Sequence, residues 1–496
     1  MGARAESLPP PSTQTLGLRS TGRAAGVLER EAFPIAAASL YAIALLLLIP
    51  GELVQDSWAT LVAGKLIAAN GLPHHETLTV MAHGVRWVDQ QWLAQLTFYE
   101  LFRVGGYRLI LLVHAALVAS AFGLAVAVAR RRGASPRAVF VVALLCLFVA
   151  PWGWQLRAQS FAPLLFVAVL GLLVADGQAR SRRVLLTLPL LALWANLHGS
   201  VVLGAALVAL YGLILLLGRR EAATGLLLLL AAPICVVCSP YGLSLVGYYC
   251  DLLIDPPFRG LIVEWTAPTP QAITALFYVL AFLTVWALGR WGRVLTRFEQ
   301  LALLVTLASA LTATRNIVWF GLTALVLLPV LLDRGRLGTE GGVRPGVRLA
   351  VALTALVGFA SALTVTVAKP AHWYESNWPN AGVAHAATST ARSPRVFASD
   401  RIADWLLWRE PALRGRVAFD IRFELNTAAQ VHALHRFFGR TGRDWQAAAR
   451  GYDVIVIDRQ NDEKVLRSLE STRRFSTSYI DRDVAVLTRT TGHRGP

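Results

Sequence analysis

Apolar residues occupy this chain in blocks as long as a membrane-spanning helix, separated by short polar loops. Blocks of roughly 17–25 apolar residues cross a bilayer as helices, because a helix satisfies its own backbone hydrogen bonds in lipid. About eleven spans are predicted, at 33–50, 108–129, 138–151, 161–175, 184–195, 200–218, 222–238, 271–289, 298–313, 317–332 and 348–368. Several are short, which predicts tilted helices or helices shielded inside a bundle.

A long polar stretch, residues 51–107, interrupts this pattern after the first span. Its periodicity predicts one helix over 56–70 and a second amphipathic helix from near Asp89 to Gly105 and Gly106. Between them the alternating sequence TLTVMAHGVRWV predicts a small hairpin with a tight turn at His83-Gly84. Helices with aromatic faces lie flat at a membrane interface, so both are expected on the membrane surface.

The two ends of the chain have a different composition from the middle. Residues 1–32 are polar and rich in proline and arginine, which predicts a disordered cytoplasmic tail. After Lys369, short apolar strands alternate with helical patterns, so 370–496 is expected to form a small α/β domain with a largely parallel sheet. The strands are predicted at 395–399, 416–420, 452–458 and 484–489. This domain has no GxGxxG and no P-loop, so nothing favours nucleotide binding.

The distribution of charge predicts which loops lie on each side of the membrane. Only 16% of residues are charged, yet the formal net charge is +17. The arginines cluster in alternate short loops, as in multi-pass membrane proteins whose cytoplasmic loops are basic, rather than on one face that would bind nucleic acid. The basic loops are 130–137, 180–183, 219–220, 290–297 and 333–348. We therefore expect the N-terminus and these loops in the cytoplasm, and 33–369 to be a transmembrane domain whose α/β domain lies outside.

Cysteines and the N-terminus add little. Cys235 and Cys238 form a CxxC inside an apolar run without a second pair, which favours small buried thiols over a metal or redox site. The first apolar block begins only at Phe33, without a small-x-small exit, so an uncleaved anchor is expected.

Polar side chains that would be unfavourable in lipid cluster at the predicted outer ends of the spans. Such groups are usually functional or paired with one another. The set comprises Glu52, Asp56, His75, Glu76, Arg157, Gln159, Asn196, His198, Tyr241, Glu264 and Arg315. Together they would suit transfer from a phosphate-linked donor, in which a carboxylate deprotonates the acceptor while cations stabilise the leaving phosphate.

Each of these residues also has a structural interpretation. Asp56 stands at an N-cap position, and so does Asp89. Arg157 and Arg315 also suit pairing with Glu264 and Glu52, although a lone arginine at an outer helix end is costly enough to favour a phosphate role. His198 fits a local hydrogen bond in a short loop. The adjacent His74 and His75 hint at a metal, but neighbouring side chains on a strand or turn point apart, so no metal ligand is assigned.

Several local patterns resemble a known class. DSWATLVAGKLIAANGLPHHETLT and GVRWVDQQWLAQL, with LRAQ, LWANLHG, SPYG and VEW, resemble bacterial proteins of the GT-C fold. That class comprises integral-membrane glycosyltransferases that use polyprenyl-phosphate sugars, such as protein O-mannosyltransferases and the aminoarabinose transferase of lipid A. The resemblance implies that Asp56 is the loop aspartate acting as base. Many relatives have a second adjacent acid where this chain has Ser57, so Glu52 or Glu76 would substitute. The resemblance also leaves room for a divalent cation.

The leading hypothesis is therefore an inverting glycosyltransferase at the outer face of a bacterial cytoplasmic membrane. Its partners would be a polyprenyl-phosphate sugar donor and a glycan, lipid or protein acceptor, with no nucleic acid. One alternative is a flippase for a lipid-linked sugar, which would place polar groups near the bilayer midplane and show pseudo-symmetric halves. Another is a non-catalytic polysaccharide-assembly protein whose outer domain recruits enzymes.

Overall fold

The computed structural model describes residues 24–219, 221–254, 256, 258–335, 343–389, 393–472 and 474–490. Most of the predicted cytoplasmic tail and the middle of the 333–348 loop lie outside these residues. The helices up to residue 367 are α1 (Ala32–Glu52), α2 (Gln55–Asn70), α3 (Trp92–Arg131), α4 (Pro136–Leu147), α5 (Ala162–Gln178), α6 (Thr187–Trp194), α7 (Val201–Leu217), α8 (Ala222–Val236), α9 (Ser244–Ile254), α10 (Ala275–Trp291), α11 (Arg297–Thr312), α12 (Ile317–Arg334) and α13 (Pro345–Val367).

These helices form an α-helical bundle that spans the membrane several times. Six of them, α1, α3, α5, α10, α12 and α13, are long and apolar enough to cross a bilayer, counting adjoining turns for α5, α10 and α12. Shorter apolar helices, among them α4, α7 and α8, lie beside them. Each predicted span has a helix at its position. The most buried is α12, which is surrounded by other helices as expected for the centre of a bundle.

Glycine allows the closest helix contacts. A Cβ atom on Gly212 of α7 would lie 2.6 Å from the carbonyl oxygen of Gly225 in α8, and one on Gly225 would lie 2.8 Å from that of Gly212. Small residues let backbones approach in this way where lipid supplies no hydrophobic drive between helices. Gly64 does the same for α2 on α3, because its Cβ would overlap the Gln95 carbonyl.

The first loop differs from its prediction in three respects. Its two helices exist, and the second continues through a kink at Gly105 and Gly106 into the membrane span of α3. Trp58 and much of α2 are fully buried, so α2 is a packed element and not one lying flat on the surface. The turn at Gly84 is present, with φ of +78°, but residues 74–76 rather than 77–80 pair with 85–87.

The C-terminal part contains α14 (Ala381–Ser389), α15 (Asp400–Arg409), α16 (Ala428–Gly439) and α17 (Arg459–Glu470) around one sheet. Its strands are β1 (Val396–Ala398), β2 (Val454–Asp458), β3 (Phe475–Ile480) and β4 (Val484–Arg489), in the order β1-β2-β4-β3. Only β1 and β2 are parallel, while β4 runs antiparallel to both β2 and β3. The sheet is thus mixed, because the unpredicted β3 joins β4 as a hairpin.

The first loop completes this sheet. Val417, in the segment expected to be a strand, forms bridges with both Val396 of β1 and Thr79 of the loop. Val80 and Met81 donate backbone hydrogen bonds to the carbonyls of Val417 and Ala418, at 2.8 and 2.9 Å. The segment 416–420 thus forms isolated bridges and not the predicted strand, and the first loop pairs with it beside β1, which covers that edge of the sheet.

Aromatic contacts fasten the C-terminal part to α2 and α3. Trp58 packs edge-on against Trp378 at 5.1 Å and against Tyr107 at 5.6 Å. The Trp378 indole donates to the Leu53 carbonyl at 3.0 Å, and the Trp408 indole donates to the Tyr107 hydroxyl at 3.0 Å. The same buried cluster contains side chains from both regions, so they share one core.

Candidate active site

A cavity of about 800 Å³ lies between one end of the helix bundle and the C-terminal domain. Six of the predicted site residues line it: Asp56, Arg157, Gln159, His198, Glu264 and Arg315. They come from five separate connections, and we call them the membrane-domain wall. The opposite side, formed by C-terminal residues, is called the C-terminal wall. The structure thus brings together side chains that are as far as 259 positions apart in sequence.

Arg157 is the centre of the membrane-domain wall. Its Nε lies 3.3 Å from Oδ2 of Asp56, on the first turn of α2. Its Nη1 and Nη2 donate to the two carboxylate oxygens of Glu264, at 2.8 and 2.6 Å. This fork-to-fork geometry is the strongest form of arginine–carboxylate pairing. The interpretation of Arg157 as a partner of Glu264 is therefore correct, and Asp56 shares the same guanidinium.

The pKa values of Asp56 and Glu264 shift in opposite directions at this site. Burial raises the pKa of Asp56 and outweighs the attraction of Arg157. Burial also acts to raise the pKa of Glu264, but the hydrogen bonds and charge of Arg157 outweigh it and leave that pKa below its usual value. Asp56 is thus the more basic carboxylate of the pair, as a proton acceptor must be.

Arg315 is held by stacking and not by carboxylates. Its guanidinium lies 4.3 Å from the centre of the Trp265 ring, in the turn Val263–Trp265. Thr314 N donates to the Thr266 carbonyl at 2.9 Å, so the two turns are tied together. Within the part of the chain that the structure describes, the Arg315 guanidinium has no hydrogen-bond acceptor. Its donors consequently remain available inside the cavity.

His198 adds a neutral donor to this wall. Burial, with Arg315 and Arg157 nearby, lowers the pKa of His198 to about 3. Ser200 N donates to its Nδ1 at 3.1 Å, so the neutral ring carries its hydrogen on Nε2. The local hydrogen bond foreseen for this residue is present, and the ring still lines the cavity.

The C-terminal wall contains residues that sequence reasoning did not select. Arg422 lines the cavity, lies 2.6 Å from Glu76, bonds Asp420 and stacks 4.2 Å above Trp87. Asp400, Glu424 and Asp462 line the same wall, with Phe423 and Phe438. Burial raises the pKa of Glu424 to about 7, although its side chain is accessible from the cavity. The sequence did contain a signal for this wall, because the charged residues Asp420, Arg422 and Glu424 alternate at the end of an apolar strand-like segment.

Five predicted site residues do not line the cavity. Glu52 is buried 3.8 Å from His114, and Glu76 is buried against Arg422 and the backbone N–H of Thr79. His75 is exposed and forms a bridge with Arg86. Asn196 bonds Trp92 and Cys238, while the Tyr241 hydroxyl donates to the Pro73 carbonyl at 2.8 Å. These contacts join loops behind the cavity, and neither Glu52 nor Glu76 stands beside Asp56 as a second acid.

The cap assignments were wrong for both aspartates. Helix α2 begins at Gln55 with Val54 as N-cap, and the Ser57 hydroxyl accepts from Val54 N at 2.9 Å. Asp56 is therefore free to face Arg157. Helix α3 begins at Trp92 with Gln91 as N-cap, whereas Asp89 is buried and accepts from Gln91 N at 3.4 Å. In each case the N-cap lies two residues away from the expected position, earlier in α2 and later in α3.

Metal and thiol sites find little support in the described residues. Among them, no group of three or more His, Cys, Asp or Glu side chains is arranged to hold a metal ion. All four cysteines are free. Cys235 is buried as expected, but Cys238 is exposed, so the buried-thiol prediction fails for the second position of the CxxC.

Comparison with known proteins identifies the fold. The oligosaccharyltransferase AglB of Archaeoglobus fulgidus, in complex with an inhibitory peptide and a dolichol-phosphate, superposes with a TM-score of 0.55 at 11% identity, over 86% of this chain and 69% of that chain. Its apo form gives 0.51 at 12% identity with the same coverage. ArnT of Cupriavidus metallidurans bound to undecaprenyl phosphate gives 0.48 at 14% identity, over 98% of this chain and 100% of that chain.

No protein-family model matches the sequence, and no curated protein matches it either. At such low identities a structural match shows the fold alone. The chain thus has the GT-C fold of integral-membrane glycosyltransferases, as the sequence resemblance implied, and it is a multi-pass membrane protein.

Proposed function

We propose that this protein is a glycosyltransferase that moves a sugar from a polyprenyl-phosphate donor to a hydroxyl of a glycan, lipid or protein. The main support is the cavity in which Asp56 faces the guanidinium of Arg157 while the hydrogen-bond donors of Arg315 remain available. The fold supports the proposal, since a neighbour with the same fold is an oligosaccharyltransferase in complex with a dolichol-phosphate.

The chemistry is a single displacement. The Asp56 carboxylate takes the proton of the acceptor hydroxyl as its oxygen attacks the anomeric carbon. The bond from that carbon to the phosphate oxygen breaks, and polyprenyl phosphate leaves. Attack opposite the leaving group inverts the anomeric centre. Arg315 and the His198 Nε2–H are the donors available to the departing phosphate, which gains charge in the transition state.

Orientation follows from the arginine-rich loops. We propose that the tail 1–32 and those loops are cytoplasmic, and that the 370–496 domain and the cavity lie outside a bacterial cytoplasmic membrane. An enzyme placed there would act in cell-envelope polysaccharide assembly. With the four native cysteines replaced, labelling of single cysteines introduced at exposed Arg103 and Arg131 from outside intact cells tests this topology, since only the first should react.

The central test follows the fate of the donor. Proteoliposomes containing the purified chain are supplied with a polyprenyl-phosphate sugar and extracted acceptor from the same cells. Transfer produces free polyprenyl phosphate, whereas a flippase moves the donor across the membrane with its sugar–phosphate bond intact. Translocation of intact donor, with no polyprenyl phosphate formed, would refute the transferase proposal.

A further inference from the structure

The guanidinium of Arg157 lies between two carboxylates from different loops. It approaches Asp56 at 3.3 Å through Nε and holds Glu264 at 2.6 and 2.8 Å through both terminal nitrogens. Both carboxylates face the cavity. Two acidic side chains that converge on one central cation resemble the arrangement by which proteins hold a divalent metal.

The residues present do not fit a divalent metal at this position. Such a cation needs several oxygen ligands within about 2.0–2.6 Å, and Arg157 stands where it would be. Glu52 and Glu76, the acids expected to complete a ligand set, are buried elsewhere with other partners. The remaining acids of the cavity, Asp400, Glu424 and Asp462, belong to the C-terminal wall. Among the described residues no metal-holding group occurs.

Arg157 is also built into its position. Ser160 bonds the backbone of Arg157 and contacts the buried His114 at 2.8 Å, while the other His114 nitrogen contacts the Trp154 carbonyl at 2.7 Å. The backbone of the neighbouring Leu156 is hydrogen-bonded to Glu52 and Ser57, the residues on either side of the start of α2. Its carbonyl accepts from the Ser57 hydroxyl at 2.6 Å, and its N–H donates to the Glu52 carbonyl at 2.7 Å. Ser57, in the position of a second acid, thus ties the Asp56 helix to the Arg157 turn.

We propose that Arg157 takes the place of a divalent cation in this pocket, so that the enzyme needs no metal. Its guanidinium neutralises Glu264 and positions the Asp56 carboxylate, while Arg315 supplies a second positive charge for the phosphate. Two arginines then carry the charge of one divalent ion. Arg157 is a positioning residue in this proposal. The replacement of a metal by Arg157 stands on geometry, and only its catalytic consequence rests on the proposed function.

Metal binding tests the proposal without any substrate. The full-length protein, purified in detergent and stripped with EDTA, is titrated with Mn²⁺ and free Mn²⁺ is read by electron paramagnetic resonance. We expect the wild type to show no Mn²⁺ site with a Kd below about 1 mM that depends on Asp56. In Arg157→Ala, which leaves Asp56 and Glu264 facing each other, Mn²⁺ affinity should rise at least about tenfold, because a repelling charge is gone.

Matched variants make the result specific. Arg315→Ala removes the same charge from the same wall but leaves the bridge, so it should gain far less affinity, and adding Asp56→Asn to Arg157→Ala should abolish the gain. A wild-type Mn²⁺ site lost in Asp56→Asn would overturn the proposal even if Arg157→Ala fails to fold. So would a folded Arg157→Ala that binds no Mn²⁺. Absence of sugar transfer with every donor would instead defeat the proposed function and leave this measurement intact.

Discussion

The two walls of the cavity are built from different chemistry. The membrane-domain wall has two arginines, a neutral histidine and two acids that share Arg157. On the C-terminal wall, Arg422 pairs with Glu76 and Asp420, and Arg401 pairs with Asp458, so both arginines there already have carboxylate partners. The same wall also presents the carboxylates of Asp400, Glu424 and Asp462 and aromatic rings to the cavity. Cations therefore face a departing phosphate from one side, while hydrogen-bond acceptors suited to sugar hydroxyls face it from the other. The difference suggests donor chemistry on the first wall and acceptor binding on the second.

The largest effect should come from removing the base on the membrane-domain wall. Asp56→Asn keeps the size and burial of the side chain but cannot accept a proton, so the turnover rate should fall by about 10²–10⁴-fold. Transfer from a polyprenyl-phosphate sugar in proteoliposomes measures it. Asp251→Asn, an exposed aspartate on α9, is the matched control and should leave the rate unchanged. Equal rates for both variants would remove Asp56 from the mechanism.

The next effect concerns the contact between the C-terminal wall and the first loop. Arg422→Met leaves Glu76 and Asp420 buried without a cation, and breaking such a pair should lower the free energy of unfolding by about 3–5 kcal/mol. Thermal unfolding in detergent, with proteolysis of the C-terminal domain, reports the loss. Arg450→Met breaks a solvent-exposed pair with Asp444 in the same domain and should have little effect. If both variants behave alike, Arg422 does not fasten the domain.

A smaller effect is expected at the free guanidinium. Arg315→Ala removes hydrogen bonds to the phosphate, each worth about 1.5–3 kcal/mol when a charged group takes part, so the donor KM should rise roughly 10–100-fold. The acceptor KM should not change. Arg103→Ala, at an exposed arginine paired with Glu100, controls for loss of charge. A rise in the acceptor KM alone would reverse the assignment of the two walls.

The smallest expected effect is a pH dependence on the C-terminal wall. Because the pKa of Glu424 is about 7, raised from its usual 4.5, the group is protonated below pH 7 and ionised above it. An ionised carboxylate accepts hydrogen bonds from sugar hydroxyls more strongly, so the acceptor KM should fall as pH rises from about 6 to 8. Glu424→Gln should flatten this profile, whereas Glu470→Gln, at an exposed glutamate of the same domain, should not. A profile unchanged in Glu424→Gln would separate Glu424 from acceptor binding.

Most of the architecture could be predicted because it depends on local patterns. Each predicted span contains a helix, since a long apolar run in lipid has no other way to satisfy its backbone. Strands β1, β2 and β4 were likewise visible as short apolar runs. β3 was missed because its faces are largely exposed and its sequence, FSTSYI, has little apolar character. The N-caps lie two residues from the expected aspartates, at Val54 and Gln91, because neither aspartate side chain caps a helix: Asp56 faces Arg157, and Asp89 is buried before the helix begins.

The sequence by itself determined that this is a multi-pass helical protein with a C-terminal α/β domain and with polar groups at one end of its spans. Hydropathy and charge encode these properties residue by residue. Only the tertiary structure decided which polar groups meet. Asp56, Arg157 and Glu264 belong to three different loops, and Arg422 reaches Glu76 across the chain, so their contacts depend on how the helices pack and how the first loop joins the distant sheet.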